Sequence, residues 1–486
     1  MAPGSSRKRR LILHFDARNT LFVADMRFRL PIEEALNSYI TGLIWGIEDV
    51  ESHEKNENNS IQNGLEKTSH TIPTEPCRPN KQQILEEIDR NKDVNRTDGG
   101  SPVRLTGTLD SFHDDDVGHQ HNHLQNGKNG CLHPRNPYTG ERFQDLTKEE
   151  LHACRHRLNS WKCLPESPCI RQPRPDAVSL YKLLEQQIVR QPADRGRLRK
   201  YLGNFTQTPE GQQFLHLFQN HLEKLRWPDV NSTAHDTDEM YIAPVSKLSV
   251  IGLDNQRYHY LMPAFYRLMS WLMHTGRQFA IVLRTYGQDG SHIVSAIETY
   301  LQGHHPTEKP NPSVAESLVL DQAHWRLKRD TKPPQFTLCK CDAQTCDGSG
   351  ECVSGEQAIH QTWSNWNGVV SVQDDFVYWQ SNHYDHRAAK PMWFNPKDRE
   401  VQHVFFDDNI RFDEDKTNGI DLIQLDTKDV NEMNSQSYRP TQSEAAQWEN
   451  VYFVQADLLQ IINNPCYFVE KITECEHNLD VIQGNV

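Results

Sequence analysis

Apolar positions along this chain follow two periods, and the alternation between them predicts an α/β fold. Leu11–Phe15 is almost continuous, too short to cross a membrane and the right length for a strand buried on both faces. Phe279–Leu283, Gly368–Val372, Val401–Phe406 and Ile420–Leu425 read as further strands, the last of them closing the core. Elsewhere the spacing is helical. Ile32, Ala35, Leu36, Tyr39, Ile40, Leu43 and Ile44 share one face, and Pro31 before them suits a first helical position. A second stripe, Leu261, Phe265, Leu268, Met269, Leu272 and Met273, stops at Gly276. Its methionines read as core filler. Ile293, Val294, Ile297 and Leu301 mark a third helix, and helices are expected over Val454–Ile462 and Cys466–Asn478. Such alternation predicts a doubly wound parallel sheet with a Rossmann-type core.

Two breaks in the pattern divide the chain. Residues 47–144 are rich in Asn, Asp, Glu, Gly, His and Lys, with few apolar positions, and read as a disordered low-complexity linker. Within it, Phe112–His123 is dense in His and Asp and reads as loop in preference to a weak metal site. Residues 145–227 regain helical stripes, among them Leu180, Tyr181, Leu184 and Ile188, and Phe214, Leu217, Phe218, His221, Leu222 and Leu225. They predict a small all-helical insertion, with His221 a satisfied, partly buried residue. The domain reading is a basic tail (1–10), a first piece of core (11–46), the linker (47–144), the helical insertion (145–227), a second linker (228–244) and the main core (245–486). A Cys-rich loop at 335–355 interrupts the last of these.

Composition sharpens this reading. A mean hydropathy of −0.76 and 36% apolar content are low for 486 residues, which fits a core plus much polar chain. The net charge of −14 argues against nucleic acid or an anionic membrane as partner, since basic surfaces hold both. The eleven cysteines are scattered and odd in number, no secretory signal is visible, and no run is long enough to span a bilayer. A reducing, cytoplasmic setting with mostly free thiols is expected. The basic run Arg7–Arg10 reads as a solvated tail, with a nuclear signal as the alternative. Cys339, Cys341, Cys346 and Cys352 lack the paired C-x2-C spacing of common zinc modules, so an irregular loop is expected there and not a zinc site.

The candidate chemistry starts at Asp16, where the first strand stops. Ligands of open α/β sheets bind at the carboxyl ends of strands. Asn19 and Thr20 follow as turn formers with hydrogen-bonding side chains. Asp16-Ala17-Arg18-Asn19-Thr20 resembles the first motif, D-x-D-x-T, of the haloacid dehalogenase-like (HAD-like) hydrolases, with Arg18 in place of the second Asp. Phe279–Thr285 is similar to the second motif, a strand ending in Ser or Thr. Lys390-Pro391 is similar to the third, and His403–Asp408, a strand ending in paired acids, to the fourth. The four occur in the family's order and cover residues 10–46 and 246–425.

That resemblance implies a Mg2+-dependent phosphatase or phosphotransferase. Asp16 would be the nucleophile that forms an aspartyl-phosphate, Lys390 and Thr285 would steady the phosphoryl group, and Asp16, Asp407 and Asp408 would hold Mg2+. Residues 21–30 would form a flap and the helical insertion a cap, and the substrate would be a phosphorylated small molecule or phosphoprotein. Arg18 can clamp a phosphate, yet it stays protonated and cannot serve as general acid or base. Losing that help costs roughly 10²–10⁴-fold in rate. Asp25 on the flap is the candidate substitute, with a plain surface role as the alternative. The rival expectation is a catalytically impaired relative that binds a protein partner or an anion through its cap or loops. Ordinary roles stay open for the rest: an acidic loop for Asp407 and Asp408, a surface lysine for Lys390, a strand end for Thr285. His383–His386 reads as loop.

Overall fold

β1 (Arg10–Asp16) lies in the middle of the molecule because its apolar run leaves no face for water. The computed structural model describes residues 9–23, 30–48, 143–191, 194–228, 239–316, 318–331, 334–341, 350–411, 419–425 and 437–485. Leu11, Ile12, Leu13 and Phe15 are all fully buried. Burying each such side chain stabilises by roughly 1.5–3 kcal/mol.

The strands that follow are β2 (Trp45–Glu48), β3 (Trp161–Cys163), β4 (Val178–Ser179), β5 (Ser249–Ile251), β6 (Arg257–His259), β7 (Phe279–Thr285) and β8 (Leu320–Thr331). After them come β9 (Pro334–Cys341), β10 (Cys352–Ser354), β11 (Gly368–Gln373), β12 (Lys390–Phe394), β13 (Val401–Asp407), β14 (Ile420–Leu425), β15 (Ser437–Tyr438) and β16 (Phe453–Gln455). The main sheet runs β10-β9-β8-β11-β7-β1-β13-β16. From β8 to β16 in that order neighbours are parallel. β9 and β10 pair antiparallel at one edge. The chain is thus an α/β protein with a mixed, mostly parallel sheet, which corrects the expectation of a purely parallel one.

Burial sets the register. Leu13 lies opposite Ile281 and Val404 on one face, and Ile12 opposite Ala280 and His403 on the other. Slipping by one residue would turn each set to the wrong side. The first face packs on helices Ile32–Leu43, Pro263–His274, Asp289–Leu301, Leu458–Asn463 and Tyr467–Ile482 in one cluster. The second face is covered by helix Glu356–Asn365, through Ile359 and Trp363, and by a small sheet β12-β14-β15, through Trp393, Ile423 and Leu425. Helices therefore do not make up the whole of that layer, and β14 belongs to the second sheet, not to the core sheet.

Several expectations are corrected. Residues 145–227 are not all-helical: β3 and β4 flank β2 in a small antiparallel sheet. Their helices share the first-face cluster through Leu183, Leu184, Leu198 and Phe218. Helix Lys148–Asn159 starts with a capping box between Thr147 and Glu150. His221 bonds Leu217 and Asn463, as a satisfied histidine should. Val454–Ile462 splits into β16 and helix Leu458–Asn463, because the Asp457 carboxylate caps the N–H groups of Leu459 and Gln460. Cys339 and Cys341 lie on β9 and Cys352 on β10, not in an irregular loop. Cys339 and Cys352 face each other across that pair and form a disulfide, so two of the four sulfurs are not free thiols. Cys154, Cys163, Cys169, Cys466 and Cys475 are free thiols among the described residues. Nor are Arg9 and Arg10 a solvated tail. Arg9 is buried against Asp480 and Gln483, and Arg10 opens β1.

The expected flap tip with Asp25, Phe112–His123, Cys346 and most of both linkers lie outside the described residues. Among the described residues no helix is long and apolar enough to cross a membrane.

Candidate functional site

Apolar strand interiors give way to polar residues at one end of the parallel sheet. β1 ends in Asp16, β7 in Thr285 and β13 in Asp407, and Asp374 follows β11. The second sheet contributes Lys390, the first residue of β12.

Lys390 ties the cluster together. Its ammonium donates to Asp16 Oδ1 and, at 3.0 Å, to Asp407 Oδ2. The side chains of Lys390 and Asp407 are 3% and 1% exposed, that of Asp16 13%. Asp408 completes the group, and carboxylate oxygens of Asp16, Asp407 and Asp408 lie within 4.8 Å of one another. Asp407 Oδ1 accepts the Asn409 N–H at 2.8 Å. Asp408 accepts from the side-chain amides of Asn19 at 3.0 Å and Asn409 at 2.8 Å. Asn19 reaches it from a left-handed conformation (φ 59°), which asparagine tolerates better than most residues. Its own N–H is used by the Phe22 carbonyl at 2.7 Å, so it is not a donor for a ligand.

Charge is unbalanced here. Burial pushes the Asp16 carboxyl up to about 8; Lys390 pulls it down, while Asp407 and Asp408 push it further up. Burial and Asp407 raise Asp408 to about 6, against the Asn19 hydrogen bond and the positive charge of Arg18. Burial opposes the charge on Lys390, but Asp16, Asp407 and Asp374 outweigh it and raise its pKa. Three crowded carboxylates with oxygen donors are the ligand type that a hard divalent cation takes. A cation bound there would relieve the repulsion that raises them.

Asp16, Lys390, Asp407 and Asp408 thus share one cluster, and Arg18 lies close enough to act on Asp408. Thr285 sits on the neighbouring strand, but its hydroxyl donates to Asp289 at 3.2 Å and accepts the Gly287 N–H at 3.0 Å. That turns it toward the first turn of helix Asp289–Leu301. The Thr20 hydroxyl is buried with no hydrogen-bond partner among the described residues.

Two site features are absent from the sequence reading. Arg284 is fully buried and grips Asp374 through two hydrogen bonds of 2.9 and 2.5 Å. Both its terminal nitrogens donate to the Pro391 carbonyl at 3.2 Å, bracing the peptide next to Lys390. Trp363 and Phe405 present their rings to the guanidinium. A charge inside the apolar run Phe279–Thr285 was the available signal. The second is Tyr286, whose ring centroid is 5.1 Å from the Lys390 ammonium.

Beneath the cluster, on the second face, His14 Nε2 meets His403 Nδ1 at 3.0 Å, and His403 Nε2 meets Ser364 at 2.9 Å. His360 stacks on His403 at 4.5 Å. Burial lowers all three, His360 to about 4. A void of about 10 Å³ beside Tyr286, Asp374 and Pro391 has room for about one water. A cavity of about 150 Å³ among Leu158, Trp161, Phe205 and Phe214 shares no residue with the carboxylates.

No protein-family model matches this chain, and neither does any curated protein or solved structure.

Proposed function

We propose that this chain is a Mg2+-dependent phosphatase or phosphotransferase of HAD-like type, acting through an aspartyl-phosphate on Asp16. One observation carries the reading: Lys390 bridges Asp16 and Asp407 at the carboxyl ends of adjacent parallel strands, with Asp408 beside them. The pieces come from 374 residues apart in sequence.

The roles follow from chemistry. Asp16 attacks phosphorus through the oxygen that Lys390 does not hold. The bond to the leaving oxygen breaks, and that oxygen departs with the electron pair. Lys390 offsets charge on the transferred group from a dry position, where each charge counts for more than in water. Asp16, Asp407 and Asp408 would hold Mg2+, which supplies further positive charge to the phosphoryl oxygens. Arg18 anchors an anion and moves no proton, so hydrolysis of the aspartyl-phosphate is slow and an acceptor other than water is favoured.

A second reading has its own support. The charge of Arg18 acts on Asp408, and the Thr285 hydroxyl is engaged with Asp289. Both suit an anion-binding or protein-binding relative that has given up turnover.

Phosphate release from an aryl phosphate and a panel of phosphorylated metabolites, with Mg2+, tests both. Release that needs Mg2+ and is abolished in Asp16→Asn is expected. Release only from Arg18→Asp would support the second reading. Silence in all three proteins, with no phosphoenzyme formed from acetyl phosphate, would discard the enzyme.

A further inference from the structure

Tyr286 is the residue of this site that no role above explains. It follows Thr285 at the end of β7, so it stands beside the strand that carries Asp16. Its ring faces the Lys390 ammonium at 5.1 Å. Trp379 stacks on it at 4.8 Å with planes 8° apart, and Phe376 meets it edge-on at 5.8 Å. The ring is therefore held from several sides.

The hydroxyl is less easily accounted for. It is buried and has no hydrogen-bond partner among the described residues. Burial, with Asp374, Asp407 and Asp16 nearby, raises its pKa and keeps the proton on. Asp374, Asp407 and Asp16 are near enough to act on it electrostatically, yet none of them accepts its hydrogen bond. A ring serving only as a platform for Lys390 could be phenylalanine. A buried donor without a partner is costly, and such groups call for an explanation.

We infer that the Tyr286 hydroxyl is a substrate-binding donor for an oxygen of the phosphoryl group held between Asp16 and Lys390. The inference rests on the reading of Asp16 as phosphoryl acceptor. A phosphoryl group there brings the acceptor that the protein lacks, and the clamped ring offers its donor without reorganising.

Tyr286→Phe keeps the ring, its stacking and its face toward Lys390, and removes one O–H. Binding of inorganic phosphate in the presence of Mg2+ is compared by calorimetry, with Mg2+ alone and the melting temperature as controls. Expected are unchanged Mg2+ binding, an unchanged melting temperature and a loss of phosphate affinity of roughly tenfold or more, the scale of a hydrogen bond to a charged group. KM for an aryl phosphate should rise in step. Equal phosphate affinity in wild type and Tyr286→Phe would overturn the inference and leave the hydroxyl to a single water in the adjoining void. If wild type itself binds no phosphate with Mg2+, the reading of the Asp16 site fails and takes this one with it.

Discussion

Lys390 sits between two carboxylates with a third beside them, so its removal and the removal of Asp16 should act in opposite directions. Lys390→Met keeps the volume and leaves three clustered acids, Asp407 buried and Asp16 and Asp408 partly buried, with their main counter-charge gone. Breaking a buried pair from one side costs about 3–5 kcal/mol. Saturating Mg2+ should recover much of that, because it binds only the folded state. Asp16→Asn does the reverse: above pH 6 the metal-free protein should gain stability, since the carboxyl that burial raises to about 8 is no longer forced to ionise. Urea unfolding of wild type and both variants, with Mg2+ and with chelator, gives the four differences needed. Equal destabilisation of both variants, indifferent to Mg2+, would mean that no charge excess exists at this position.

Arg284 and Asp374 work at the scale of elements, joining β7 and the end of β11 to the start of β12. Each is nearly unexposed, so Arg284→Met alone leaves Asp374 buried and unpaired, at a cost of about 3–5 kcal/mol. The double variant Arg284→Met/Asp374→Leu should recover most of the loss, so the coupling measured by the cycle should be at least about 3 kcal/mol. Additive single effects in denaturant unfolding would show that the pair does not act as a unit. The same pair marks where sequence reasoning stops. Runs such as Leu11–Phe15 and Val401–Phe406 declare themselves because a doubly buried strand excludes polar residues, and the abrupt stops at Asp16 and Asp407 point to the site. The pairing of Arg284 with a residue 90 positions away leaves no local periodicity. β8 and β9 alternate, with Trp325 and Leu327 inward and Phe336 and Leu338 facing the same layer. Polar residues between them dilute the pattern, and strands buried on one face need no more than that. β16 has three residues and is defined by its neighbour β13, not by its own composition.

For the molecule as a whole, buried acids and buried histidines around β1 and β13 pull the pH dependence of stability in opposite directions. His14, His360 and His403 have lowered pKa values, so between about pH 4 and 6.5 the unfolded chain binds more protons at these positions than the native one. Stability then rises with pH, by up to about 1.4 kcal/mol per pH unit for each group. Asp16 and Asp408 are raised, to about 8 and about 6, so above the ordinary carboxylate range the native chain binds more protons than the unfolded one. Their contribution falls as pH rises. His221, His259 and His305 are lowered as well, and Glu33, Glu34 and Asp421 raised, so six rising terms oppose five falling ones below pH 6 and outweigh them. Above about 6.5 the histidines are neutral in both states and Asp16 alone still titrates. Metal-free protein should therefore be most stable near pH 6.5, lose stability up to about pH 8 and level off there. Mg2+ holds the carboxylates ionised and should erase the falling limb while leaving the acid limb in place. Melting temperatures from pH 4.5 to 9, with chelator and with Mg2+, test this, and Asp16→Asn should reproduce the effect of Mg2+ on the alkaline side. A curve that keeps rising to pH 8 in chelator would show that the three acids are not buried together in solution.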